Sequence, residues 1–187
     1  MTRAIIAAMA LALSGAASAQ YAAPVSAPPP QASIEAAKPG APAPTGSNAD
    51  EPFYRDAIAD GVRDVALARL AATQSTNADV KTLAGTLANE HVTLNSELRD
   101  AGKVSEPRPT AADNRAMADM RKMSGALFDR TWLATMERDH LATIALFEDA
   151  SLKAQDATTR HLATTALESL RQQLLQVQDL EKKLAGQ

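Results

Sequence analysis

Two histidines stand out in this sequence because each interrupts an otherwise apolar helical stripe. His91 lies one turn from Leu87 and Leu94, and His140 lies one turn from Met136. Residues three or four apart share one face of a helix, so both histidines should point inward. Imidazole is a ligand for zinc, copper, iron and nickel. The pattern therefore raises metal binding as one interpretation of the pair.

Two further polar residues occupy comparable positions on the other predicted helices. Asp64 lies at the edge of the first apolar stripe, and Gln173 lies within the last. Each of four helices would thus direct one polar side chain towards the core, at about mid-length. Because a buried polar group needs a partner, we expect Asp64, His91, His140 and Gln173 to meet.

A metal site built from these residues would be a small one. Di-iron bundles use a Glu on each of two helices and Glu-x-x-His on each of the other two, whereas this chain offers one such pair, Glu137 and His140. Glu90 adjoins His91 and so should point about 100° away from it. Too few carboxylates remain for two irons. One divalent ion on Asp64, His91 and His140, with Glu137 as a further candidate ligand, remains open.

The alternative interpretation, which we favour from the sequence, is a structural polar core. In it, Asp64, His91, His140 and Gln173 form a hydrogen-bond network that fixes the helix register. The chain has no nucleophile elbow, phosphate loop or dinucleotide fingerprint. We therefore expect no catalytic residues and no cofactor, apart from the single divalent metal of the first interpretation. His161 has polar helical neighbours and should face solvent.

Three methionines, Met117, Met120 and Met123, recur at a spacing of three residues. Thioethers select Cu(I), but methionine also fills irregular gaps at the end of a bundle. We favour packing, with Phe128 and Trp132 lying beneath this segment.

The elements that position these residues are helices. From Glu51 onward the chain is rich in helix formers, and its apolar stripes each cover one side only. Short turns between such helices predict an all-α fold, an antiparallel four-helix bundle of residues 51–187 with a short connecting helix. The first expected helices run over about 52–75, 77–101 (capped by Asn77 or Thr76 and stopping at Gly102) and 111–122 (capped by Thr110). The two helices that follow are expected to begin at caps formed by Ser124 and Asp156.

The amino-terminal residues have the order of an export signal. Arg3 precedes the apolar run 4–13, and Ala17-Ser18-Ala19 supplies small residues for cleavage after Ala19. Ten apolar residues are too few to cross a bilayer, which needs about 20. We therefore expect a signal peptide over residues 1–19, a periplasmic or secreted protein, and no transmembrane anchor.

Residues 20–50 differ in composition from everything after them. Seven of the ten prolines lie there, among Ala, Ser and Gly, which predicts a flexible, disordered linker. The chain has no cysteine, which excludes disulfides and thiolate metal sites. Its formal net charge is −3 without a basic stripe, so nucleic acid is not an expected partner.

Short motifs in both halves of the bundle are similar to those of a known family. They are Phe53, Asp64-Val65-Ala66-Leu67, Val80-Lys81-Thr82-Leu83-Ala84, Glu90-His91, Asn95-Ser96-Glu97-Leu98, Phe128-Asp129-Arg130-Thr131-Trp132-Leu133, Met136 and His140. Over about Pro52 to Leu180 the chain resembles the bacterial exported, ferritin-like family called domain of unknown function 4142. The resemblance implies an envelope-associated or periplasmic four-helix bundle without an established activity.

The sequence departs from the family pattern at three positions. Asp64 stands where members usually have Glu, Glu90 where they have Asp, and Gln173 where they have a late His. The first two changes keep the charge, but the third replaces an imidazole by a neutral amide and so weakens the metal interpretation.

The sequence thus predicts an exported bundle with a structural, stress or interaction role and no catalysis, acting on an unknown protein or envelope partner. The alternative is a metal-binding protein or metal-dependent enzyme that uses His91, His140 and Asp64. Neither the partner nor the oligomeric state follows from the residues.

Overall fold

The computed structural model describes residues 49–186. The predicted signal peptide and all of the predicted linker but its last two residues lie outside this range. Within it the chain forms helices and no strand, which confirms the all-α class. The helices are α1 (Glu51–Gln74), α2 (Ala78–Gly102), α3 (Ala111–Arg121), α4 (Gly125–Lys153) and α5 (Ala157–Ala185).

Most predicted caps form as expected. The side chains of Asn77 and Asp156 each accept hydrogen bonds from the backbone N–H groups two and three residues later. Thr110 and Asp113 form a complete capping box at the start of α3. Ser124 is wrong as a side-chain cap, because it precedes α4 without making a capping hydrogen bond.

Gly102 has a different role from the helix stop that the sequence predicted. It is the last residue of α2, and the left-handed conformation falls on Lys103, with φ of 55°. A Cβ atom at Gly102 would lie 2.4 Å from Cγ of Tyr54. The glycine is therefore required for the close approach of α1 and α2, not for the turn.

The four long helices form a bundle of two antiparallel hairpins. Helix α1 packs on α2 and α4 on α5, and the hairpins meet along the α1–α4 and α2–α5 seams. On the α1–α4 seam, Ser75 contacts Asp129 at one end and Phe53 contacts Phe147 at the other, so these helices are also antiparallel. Helices α2 and α4 consequently run in the same direction on a diagonal. The crossover that joins them contains α3, a connectivity found in ferritin-like bundles.

The core has two apolar clusters. The tryptophan cluster includes Trp132, Phe128, Leu87, Leu133 and Met120, with Met117 and Met123 packed against it, which confirms the predicted packing of the methionines. The aromatic cluster at the other end includes Phe53, Tyr54, Ile58, Leu98, Phe147 and Leu170. On each long helix, one buried polar residue lies between the parts of the helix that belong to the two clusters. We call these four residues the polar layer: Asp64, His91, His140 and Gln173.

Candidate metal centre

The two histidines meet at the axis of the bundle. His91 on α2 is 2% exposed, and His140 on α4 is fully buried. Their Nε2 atoms are 3.4 Å apart, and the rings are nearly perpendicular, at 89°. Because α2 and α4 are diagonal neighbours, only residues that point at the bundle axis can make this contact. The sequence-based expectation that the pair points inward and meets is confirmed.

Asp64 on α1 completes a cluster of three candidate ligands. One carboxylate oxygen of Asp64 and one nitrogen from each of His91 and His140 all lie within 4.8 Å of one another. Asp64 is 1% exposed, and neither of its oxygens has a hydrogen-bond partner within residues 49–186. The nearest cation is Arg63, whose Nε lies 3.9 Å from Asp64 Oδ1. Burial, followed by the charge of Asp139, raises the pKa of Asp64 to about 8.

Gln173 on α5 is the fourth member of the polar layer. Its Oε1 lies 3.2 Å from Nε2 of His140. Its Nε2 donates a hydrogen bond of 2.7 Å to Oε2 of Glu90. A carboxylate can only accept, so this bond directs the amide oxygen towards His140.

The protons in this layer do not suffice for a closed network. Burial lowers the pKa of His140, and burial followed by the neighbouring His140 lowers that of His91 to about 3. The Nδ1 of neutral His140 must donate to the Met136 carbonyl, 2.8 Å away, so its Nε2 carries a lone pair. That lone pair can accept from Nε2–H of His91, but it also faces the oxygen of Gln173, another acceptor, and neither histidine donates to Asp64. Turning the amide over would only place its oxygen against the carboxylate of Glu90.

Two separations between candidate ligand atoms match those on a tetrahedral cation. Two atoms bound at 2.0–2.1 Å to a tetrahedral zinc ion lie about 3.3–3.4 Å apart. The His91–His140 separation is 3.4 Å and the His140–Gln173 separation is 3.2 Å. The oxygen of Asp64 lies within 4.8 Å of both histidine nitrogens, a limit wider than the spacing of two ligands on one tetrahedral ion.

The fourth sequence candidate, Glu137, is not part of this cluster. Its Oε1 accepts a hydrogen bond of 2.8 Å from Nε2 of Gln178, on the α4–α5 seam. Three residues before His140, it lies on the side of α4 that faces α5. His161 is exposed, as predicted.

The sequence did not predict that two further residues, Glu90 and Asp139, contact or adjoin the polar layer. Glu90 was expected to point away, yet it contacts Gln173 because it lies on the α2–α5 seam. Asp139 is buried beside His140, with Arg63 Nε at 3.4 Å and Arg138 at 3.0 Å. The one sequence cue for Asp139 was its position next to an inward histidine.

A groove leads to the edge of the layer. It has a volume of about 620 Å³ between α2 and α5, with Leu94, Leu162 and Leu170 among its apolar residues, and Glu90 and Gln173 also line it. Gln173 therefore links the buried histidines to the solvent side of the bundle. No helix in the described part of the chain is long and apolar enough to span a membrane.

The comparisons with known proteins agree with this architecture. A crystal structure of a protein from Streptomyces coelicolor, described as secreted and of family DUF305, superposes with a TM-score of 0.64. It is 14% identical, and the superposition covers 75% of this chain and 96% of that one. No curated protein matches the chain. Residues 35–180 match the domain of unknown function DUF4142, and since this is most of the sequence, the chain belongs to that family.

Proposed function

We propose that this protein binds one divalent transition-metal ion in the polar layer, with Asp64, His91, His140 and Gln173 as ligands. The observation that carries the proposal is a group of buried lone pairs at one level of the core: both oxygens of Asp64 lack a hydrogen bond within the described range, and the lone pair on Nε2 of His140 faces the oxygen of Gln173. A single cation would attract all of these lone pairs at once.

The chemistry of the donor set favours zinc as the first ion to test. Zinc takes nitrogen and oxygen ligands in a tetrahedron without a preference from its d electrons. Neutral imidazoles are ready to bind, because burial keeps the pKa of His91 and His140 low. The positive ion would also offset the cost of a charged Asp64 in the core.

A binding role is supported better than a catalytic one. Catalytic zinc sites keep one position open for water or substrate, whereas structural sites are closed by four protein ligands. The layer offers four side chains to one ion, and it lies in the middle of the bundle, between two apolar clusters. We therefore propose a metal-binding protein and not a metal-dependent enzyme.

Export belongs to the same proposal. The order of a positive residue, an apolar run and small residues in the first 19 positions supports it, and the structural relative from Streptomyces is described as secreted.

The test is a calorimetric titration of chelator-treated protein with Zn²⁺. We expect one ion per chain, a lower melting temperature on adding chelator to the loaded protein, and loss of both effects in His91→Ala and His140→Ala. His161→Ala, an exposed histidine, is the matched control and should bind as wild type does.

The rival function, a structural or interaction bundle whose polar layer only sets the register, predicts otherwise. Wild-type protein would then bind no ion and ignore the chelator, while His91→Ala would still lose stability. That outcome would contradict the metal proposal.

A further inference from the structure

Glu90 touches the polar layer from outside. Its carboxylate is on the exposed face of α2, yet its Oε2 accepts a 2.7 Å hydrogen bond from Nε2 of buried Gln173. The other acceptor near that nitrogen is Oγ of Ser169, at the longer distance of 3.4 Å. Glu90 is therefore the main restraint on the donor end of the amide.

An amide that serves as a metal ligand needs such a restraint. Its two ends have nearly the same shape, but the oxygen can bind a cation and the NH₂ group cannot. If Gln173 turned over, its N–H groups would face the metal and its oxygen would face Glu90. Because a carboxylate accepts and cannot donate, the Glu90 contact penalises that orientation.

We propose that Glu90 is a positioning residue, which holds the oxygen of Gln173 towards the metal without touching the metal itself. The proposal rests on the proposed function. It makes Gln173 a ligand whose orientation is set from the surface of the groove between α2 and α5.

A competing effect is simple attraction, because any acid near the site favours a cation. Two variants separate the effects. Glu90→Asp keeps the charge but shortens the side chain by one methylene, which breaks the 2.7 Å contact with Gln173, whereas Glu90→Ala removes both the charge and the contact. Glu97 supplies the control, since it is an exposed acid two turns further along α2 that lines the same groove.

The experiment measures Zn²⁺ affinity and the visible absorption of the Co²⁺ form for wild type, Glu90→Ala, Glu90→Asp and Glu97→Ala. Outer partners of metal ligands typically contribute about 10- to 100-fold in affinity, and we expect a loss of this size in both Glu90→Ala and Glu90→Asp. Their Co²⁺ spectra should also change, because one ligand is displaced. Glu97→Ala should match wild type in both readouts.

Two outcomes would overturn the inference while leaving the metal site intact. Wild-type affinity and spectrum in Glu90→Ala would show that Gln173 needs no positioning. Wild-type affinity in Glu90→Asp, with a loss in Glu90→Ala alone, would assign the effect to charge. If the wild-type protein bound no ion, the proposed function and this inference would fail together. Melting in chelator checks folding, which should be retained because Glu90 is exposed.

Discussion

Two buried carboxylates on the α1–α4 seam differ sharply in their surroundings. Asp129 is 5% exposed and accepts a 2.6 Å hydrogen bond from Oγ of Ser75. Asp64 is 1% exposed and has no such bond anywhere in residues 49–186. The hydrogen bond between Ser75 and Asp129 links the end of α1 to α4 and satisfies the buried carboxylate. The Asp64 carboxylate destabilises the metal-free fold, since burying an unpaired polar group costs about 1–3 kcal/mol, and such groups are expected at functional sites.

The same contrast extends beyond these two residues. Of the six buried side-chain atoms without a hydrogen-bond partner in the described part of the chain, two belong to Asp64. Asp139, Asn95 and Thr143 supply three more, and each lies within one helical turn of His91 or His140. The sixth belongs to Trp132. Unsatisfied polarity is therefore concentrated at the polar layer.

The largest expected effect lies in the apolar part of the comparison. Leu133→Ala empties a fully buried site in the tryptophan cluster, so it should lower the free energy of unfolding by about 2–5 kcal/mol. Denaturant unfolding with and without Zn²⁺ measures this. The stabilisation by zinc should be unchanged in Leu133→Ala. Loss of zinc binding in this variant would mean that the tryptophan cluster and the polar layer do not act independently.

The carboxylate pair gives the next effect, in chelator. Ser75→Ala strands Asp129 and should cost about 1–3 kcal/mol. Asp64→Asn should raise the metal-free stability at neutral pH, because a neutral amide avoids the proton uptake that folding imposes on this buried carboxyl, while it weakens zinc binding. Equal losses in the two variants would mean that Asp64 has a structural partner.

The third effect concerns pH, and it depends on what surrounds Asp64. Burial raises its pKa most, the charges of Asp139 and Asp60 raise it further, and Arg63 and Arg138 lower it. With an unfolded pKa near 3.8 and a folded pKa of about 8, the carboxyl takes up a proton on folding. Its contribution to stability is complete below the unfolded value and is lost as pH rises through the folded value.

The histidines act in the opposite sense over a lower range. The pKa values of both histidines are lowered in the folded protein, to about 3 for His91. In acid the unfolded chain therefore binds more protons than the folded protein, and the free energy of unfolding rises with pH up to about 6.5. Between pH 6.5 and 8, Asp64 therefore acts alone, and metal-free protein should lose about 1–2 kcal/mol. Melting in chelator measures the slope. Asp64→Asn should flatten this slope. An unchanged slope would mean that a group other than Asp64 takes up the proton on folding.

The smallest effect is expected at the exposed histidine. His161→Ala should change the free energy of unfolding by less than about 0.5 kcal/mol, as for most surface substitutions, and leave zinc affinity as it is. If His161→Ala bound no ion, the metal site would have to be assigned to the groove, which His161 lines, and not to the polar layer.

The fold followed from the sequence because its determinants are local. Caps such as Asn77 and Asp156, and apolar spacing along each helix, depend on neighbours within a few residues. The inward direction of His91 and His140 followed from the same periodicity. The Glu90–Gln173 contact and the close approach at Gly102 depend on which helices become neighbours, and residues 83 positions apart carry no local trace of that.

The state of the layer was also beyond the sequence. Whether four polar side chains close a network depends on where each proton lies, and so on distances such as that between His140 Nδ1 and the Met136 carbonyl. The sequence favoured the network because polar groups in a core are usually satisfied locally, whereas the proposed metal site rests on these distances.

The most direct test is anomalous diffraction from a crystal of the zinc-loaded protein, with data on both sides of the zinc edge. The account predicts one peak at about 2.0–2.1 Å from Nε2 of His91 and of His140, with oxygens of Asp64 and Gln173 completing the tetrahedron. No peak in the polar layer, or zinc bound at His161 instead, would contradict it.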